Sequence, residues 1–115
     1  MWILGHSFVF WARKRAASRT YSENLGLDPS AFSIHWFGRR GMLWGDLIFE
    51  LSRLYTLFSP PDILIVHLGG NDVGKLRTLD LINMMKDDFN FLSQASPASC
   101  LIFSEIIPRL CWSDV

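Results

Sequence analysis

A continuous, largely β-branched apolar run at residues 63–68 limits the folds open to this chain of 115 residues. Pro60–Pro61 precede the run and Gly69–Gly70 follow it. A strand with one solvated face would alternate apolar and polar residues, so a run that is apolar throughout indicates a strand covered on both faces, as in parallel sheets. Shorter apolar runs, which we also interpret as strands, occupy residues 2–5, 33–37 and 100–103.

Helical patterns separate these four runs. Apolar residues recur every three or four positions over residues 43–58 and again over 79–92, with Thr78 as the predicted N-cap of the last helix. Residues 8–19 predict a shorter helix, and residues 20–32 predict a loop. The resulting β-α-β-α-β-α-β order predicts one α/β domain over residues 1–115, with helices on both faces of a parallel sheet of about four strands.

Composition and charge narrow the function classes. Half of the residues are hydrophobic, which excludes a disordered tail, and eleven basic residues balance eleven acidic ones. The chain therefore has no net positive charge that would attract nucleic acid. We interpret the basic run Arg13–Arg15 as the solvated face of a helix.

Targeting and redox signals are sparse. No apolar run approaches the roughly 20 residues that span a bilayer, and the first residues lack the basic start of a secretory signal. Cys100 and Cys111 form no CxxC pair, and we expect both to be small buried hydrophobes in a reducing, intracellular compartment.

Three turns that follow predicted strands carry groups suited to acyl transfer. The carboxyl ends of parallel strands meet at one edge of a sheet, so Ser7, Gly41 and Asn71 are expected to converge there. Ser7 would lie at a helix N-terminus, which favours developing negative charge. Gly41 leaves its amide unshielded, and Asn71 offers a neutral NH₂ donor. Taken singly, a serine here is more typical of a helix N-cap, and glycine-rich turns after strands are common for steric reasons alone. Together, the three residues predict a serine nucleophile with an oxyanion hole.

The same turns resemble the sequence blocks of the SGNH (GDSL-like) hydrolases. The matching segments are Gly5–Ser7, Gly38–Gly41 and Gly69–Asp72, and residues 106–109 resemble a segment often found after the fourth strand. The resemblance implies a flavodoxin-like, three-layer α/β/α fold. It also implies hydrolysis of a small-molecule ester or an acylated carbohydrate or lipid, without a cofactor.

Residue by residue, the resemblance assigns Ser7 as the nucleophile and Gly41 and Asn71 as the oxyanion donors, with Gly70 and Asp72 in support. Two departures stand out. His6 occupies the place of the family's usual aspartate, and the family's last block, Asp-x-x-His, would lie beyond residue 115.

No histidine follows His67, so the sequence predicts a domain truncated at its C-terminal end that lacks its general base. His67 is the possible substitute base, although a structural role is the simpler interpretation for it, and His35 is expected to be a core or face residue. Three histidines on separate strands do not predict a metal site. The incomplete sheet also predicts self-association.

Two alternatives remain at this point. A domain that keeps the pocket without a base would bind acyl or glycan groups, or would be inert. Residues 69–75 also fit the G-x-x-x-x-G-K pattern of a phosphate-binding loop, although Leu76 replaces the usual Ser or Thr.

Overall fold

The computed structural model describes residues 1–104 and contains the predicted alternation of strands and helices. The apolar runs form the strands, and the segments with three- and four-residue apolar spacing form the helices. The elements are β1 (Trp2–Gly5), α1 (Ser7–Ala17), β2 (His35–Gly38), α2 (Leu47–Leu57), β3 (Ile63–His67), α3 (Thr78–Ala95) and β4 (Cys100–Phe103). A single 3₁₀ turn, Trp44–Asp46, precedes α2. Residues 106–109 and Cys111 lie outside the described residues.

The four strands form one parallel sheet in the order β2-β1-β3-β4. β1 lies inside the sheet, where Leu4 is in register with Phe37 of β2 and with Val66 of β3. Both neighbours of β1 arrive after a helix, as parallel pairing requires.

Alternate strand residues cover the two faces of the sheet. On one face, Leu4 and Val66 belong to the main core cluster, with Leu51 of α2 and Leu81 of α3. On the other face, Ile3, Trp36 and Ile65 lie with residues of α1. The protein therefore has the three-layer α/β/α architecture of flavodoxin-like folds, with α1 on one side and α2 and α3 on the other.

The α1 layer is thin. Val9 and Ala16 are the buried residues of α1, whereas Trp11 is 54% exposed and Phe8 is 43% exposed. Ile102 of the edge strand β4 is 42% exposed. No helix in the described part of the chain is long and apolar enough to cross a membrane. Self-association stays a prediction.

Two local expectations were wrong. Cys100 is exposed, because it begins the edge strand β4. Thr78 is the first residue of α3, and Arg77 occupies the N-cap without a capping side-chain bond. Arg77 instead pairs with Asp80 of the first helical turn at 2.9 Å.

Two glycines allow close backbone approach at the ends of strands. A Cβ atom at Gly5 would overlap the carbonyl group of His67, and one at Gly38 would overlap the backbone of Phe10. Gly5 thus allows β1 and β3 to end side by side, and Gly38 lets α1 lie against β2.

We expect Gly5→Ala to lower the free energy of unfolding by about 1–3 kcal/mol or more, because the backbone of β3 must move away from the new methyl group. Gly45→Ala is the matched control, since nothing lies within 4 Å of its added Cβ, and it should stay within about 0.5 kcal/mol of wild type. Urea unfolding of both variants measures the difference. Equal losses would contradict the contact between β1 and β3.

Candidate active site

The carboxyl ends of three strands lie in one row. Gly5, the last residue of β1, is in register with Gly38 of β2 and with His67 of β3. Arg39 donates its amide to the Gly5 carbonyl at 2.9 Å, and His6 donates its amide to the His67 carbonyl at 3.4 Å. The turns that carry Ser7, Gly41 and Asn71 therefore leave the sheet from the same edge.

Ser7 is the first residue of α1, directly after the N-cap His6. The Nδ1 atom of His6 accepts the Phe8 amide at 3.2 Å, and the His6 carbonyl accepts the amides of Val9 and Phe10. No hydrogen bond within residues 1–104 uses the amide or the hydroxyl of Ser7. Because the first amides of a helix have no partner inside it, the Ser7 N–H is available to an anion at this end of α1.

Gly41 has a positive φ of 75° in the turn after β2. Its Cα faces open space, so this backbone conformation rather than crowding calls for glycine. Gly41 is exposed, and no backbone hydrogen bond between described residues uses its amide. The role of its amide as an oxyanion donor stays a prediction.

Asn71 connects the loop after β3 to the turn after β2. Its Nδ2 atom donates to the carbonyl of Met42, the residue next to Gly41, at 3.2 Å. Gly70 beside it is buried, and Asn71 itself is half-buried. The loop after β3 thus contacts the turn after β2 at the residue that follows the second predicted block.

A buried hydrogen bond to Asp72 also joins the loop after β3 to the turn after β2. Asp72 is 3% exposed, and its carboxylate accepts a hydrogen bond from the backbone amide of Trp44 at 2.9 Å. Burial raises the pKa of Asp72, while the Trp44 amide and the charge of Lys75 oppose that rise. The sequence indicated Asp72 as a supporting residue but contained no signal for its partner, 28 positions away.

Trp44 also secures this region, and its hydrogen bond to Asp88 had no signal in the sequence. Its ring is fully buried against Phe89 and Phe103, and its indole N–H donates to a carboxylate oxygen of Asp88 at 2.7 Å. Trp44 therefore holds the turn after β2 against α3, under the candidate site.

His67 lies beneath the start of α1. Its Nδ1 atom is 3.0 Å from the Ser104 hydroxyl, its Nε2 atom has no partner among the described residues, and its ring contacts those of His6 and Phe8. Burial lowers the pKa of His67, which favours the neutral ring. No hydrogen bond within residues 1–104 joins it to Ser7, and its service as substitute base stays a prediction.

His35 lies at the opposite end of the sheet. It begins β2, is exposed, and its Nε2 is 3.0 Å from the Ser33 hydroxyl, so of the two expected places, core or face, it does not lie in the core. Within residues 1–104, no three His, Cys, Asp or Glu side chains gather closely enough to hold a metal ion.

The loop at residues 69–75 is built around Asp72 rather than around a helix N-terminus. The Asp72 amide donates to the Gly69 carbonyl, and the Asp72 carbonyl accepts the amides of Lys75 and Leu76. α3 begins at Thr78, so its free amides do not follow directly on the Gly-Lys pair as they do in a phosphate-binding loop. This arrangement disfavours the phosphate-binding interpretation of the loop.

Comparison with known proteins supports the fold. No family model and no curated protein matches the sequence. A solved structure from Streptococcus pneumonia, provisionally described as a platelet activating factor, superposes with a TM-score of 0.64 at 19% identity. The match covers 93% of this chain and 45% of that chain, so this chain spans less than half the length of its neighbour. At this identity the likeness shows the fold alone.

We expect Asp72→Ala to lower the free energy of unfolding by about 1–3 kcal/mol, because it leaves the buried Trp44 amide without an acceptor. Asp72→Asn keeps a carbonyl acceptor and removes a carboxylate that burial disfavours, so its loss should be smaller. Thermal or urea unfolding compares the two. Equal losses would show that the hydrogen bond to Trp44 does not secure this loop.

We also expect His67 to make the fold sensitive to acid. Because its pKa is lowered in the folded state from the ordinary 6.5, the unfolded chain binds a proton more readily below that pH, and stability falls as the pH drops below 6.5. His67→Gln keeps a polar group beside Ser104 but cannot take up this proton. Its melting temperature should therefore fall less steeply than that of wild type between pH 7.5 and 5, and parallel curves would contradict the assignment.

Proposed function

We propose that the chain forms the nucleophile and oxyanion-hole part of an SGNH-type serine ester hydrolase. The observation that carries the proposal is the hydrogen bond from Asn71 to Met42, which joins two of the three candidate loops at the edge where α1 begins with Ser7. The flavodoxin-like fold, which the structural neighbour shares, is consistent with an enzyme of this kind.

In the proposed reaction, the Ser7 hydroxyl attacks the ester carbonyl carbon as its proton passes to an imidazole base. The carbonyl oxygen becomes an oxyanion, held by the amides of Ser7 and Gly41 and by the Asn71 side chain. Collapse of this intermediate expels the alcohol, which takes the proton from the imidazolium. Water then hydrolyses the acyl-serine by the same steps.

Within residues 1–104, no hydrogen bond connects a histidine to the Ser7 hydroxyl. His6 uses its Nδ1 to cap α1, and the hydrogen-bond partner of His67 is Ser104. We therefore propose that the base comes from outside the described residues. Free imidazole can take its place, because a small base that reaches the Ser7 hydroxyl restores the missing proton transfer.

We expect p-nitrophenyl acetate hydrolysis by the protein with added imidazole to exceed the rate of Ser7→Ala under the same conditions. Asn71→Ala should lower this Ser7-dependent rate on the order of 10²–10³-fold, the usual effect of losing one oxyanion donor. Asn83→Ala, at an exposed position of α3, is the matched control and should retain the wild-type rate.

Thermal melts of each variant separate loss of chemistry from loss of fold, since Asn71 also bonds Met42. A Ser7-dependent rate that survives in folded Asn71→Ala would remove Asn71 from the oxyanion hole. Absence of any Ser7-dependent rate would favour the alternative, a pocket that binds acyl or glycan groups without reacting.

A further inference from the structure

A groove of about 590 Å³ runs along the free edge of β2, apart from the candidate active site. Its floor includes Trp36 and Phe37, and its walls come from Lys14 of α1 and Arg53 of α2. Ser7, Gly41 and Asn71 do not line it. The proposed hydrolase chemistry therefore does not use the groove, although Arg39 and Met42 of its lining belong to the turn that carries Gly41.

The groove wraps around the edge of the sheet rather than lying on one face. Trp36 belongs to the face covered by α1, whereas Phe37 packs against the core on the face covered by α2. Successive residues of an extended strand point to opposite faces. An extended chain laid along β2 would place its alternate side chains in the two halves of this groove.

β2 also offers unused backbone groups at this edge. It is the outer strand of the sheet, and the amides of His35 and Arg39 are directed to β1. Because parallel strands direct alternate residues to opposite neighbours, the amides and carbonyls of Trp36 and Gly38 point away from β1. Within residues 1–104, no hydrogen bond outside the strand ladders uses these two amides.

The charge of the groove selects its occupant. Four cations line it (Arg13, Lys14, Arg39 and Arg53) against two carboxylates, and both carboxylates are already paired. Glu23 binds Arg13, and Glu50 binds both Arg39 and Arg53. A second copy of this chain would bring the same cations against its own edge, so the groove repels self-pairing and attracts acidic residues.

We propose that this groove binds an extended acidic peptide segment of a partner protein, which adds as a strand to the free edge of β2. Its backbone pairs with Trp36 and Gly38, and two adjacent acidic side chains point to opposite faces. One of them meets Lys14 and Arg13 on the α1 side, and the other meets Arg53 on the α2 side.

The test uses a fluorescent, end-blocked hexapeptide, Thr-Val-Glu-Glu-Val-Thr, and the intact protein, with binding followed by fluorescence anisotropy. Replacing both glutamates by glutamine, or changing the protein to Lys14→Glu together with Arg53→Glu, should weaken binding roughly threefold to thirtyfold, as two solvent-exposed ion pairs allow. Lys86→Glu, which makes the same charge change outside the groove, should leave binding unchanged.

Two further peptides distinguish strand addition from simple charge attraction. One carries N-methyl groups at its second and fourth residues, and the other at its third and fifth, so that each blocks the amides on one edge of the peptide. Strand addition predicts that one methylated peptide loses binding at least about tenfold while the other binds like the parent. In the protein, bound peptide should slow hydrogen exchange at Trp36 and Gly38.

Equal binding by the two methylated peptides, or wild-type affinity in the folded Lys14→Glu, Arg53→Glu double variant, would overturn the proposal. Thermal melts establish that the double variant is folded, and both altered side chains are exposed. None of these measurements depends on ester hydrolysis, so this proposal and the proposed function stand or fall separately.

Discussion

The arrangement of the candidate site depends on the hydrogen bond that the buried carboxylate of Asp72 accepts. Asp72 belongs to the loop after β3, yet it accepts the amide of Trp44, which follows β2. Asn71 of the same loop donates a side-chain hydrogen bond to the carbonyl of Met42. Two loops from strands that do not pair with each other are thus joined by two hydrogen bonds across the end of β1. Burial penalises the charge of Asp72, so the bond to Trp44 offsets part of the cost of putting a carboxyl group there.

His6 and His67 have structural roles at the end of the sheet where α1 begins. SGNH hydrolases, which the sequence resembles, usually have aspartate where this chain has His6. An aspartate at an N-cap accepts a backbone amide of the first helical turn, and His6 does so through Nδ1. The imidazole also lies against the ring of His67, with ring centroids 4.9 Å apart. His6 therefore caps α1 and adds an aromatic contact beneath it.

Much of the fold followed from local sequence signals, because each predicted element buries its own apolar pattern. Residues 63–67 form the strand β3 inside the sheet, and Leu47, Leu51 and Leu54 of α2 are buried in the core. The turn glycines also had local signals, and Gly41 has the positive φ that its residue type allows. The pairing of Asp72 with Trp44, and of Trp44 with Asp88, had no such signal. Those contacts depend on how α3 and the turn after β2 pack in space, which no sequence period specifies. Cys100 was misjudged for the same reason, since strand order decides which strand lies at an edge.

The groove on β2 and the candidate active site meet at one short segment. Arg39 and Met42 line the groove. The Met42 carbonyl also accepts a hydrogen bond from the Asn71 side chain, and Gly41 is the residue directly before Met42. A peptide strand paired with Gly38 would therefore restrain the turn that presents the Gly41 amide. If both proposals hold, the bound peptide orders this turn in advance, so the turn loses less conformational entropy when it binds an oxyanion. The peptide would then favour oxyanion binding without contacting the substrate. The thermodynamic consequence is reciprocal: an oxyanion analogue bound at the site would strengthen peptide binding by the same factor that the peptide strengthens binding of the analogue.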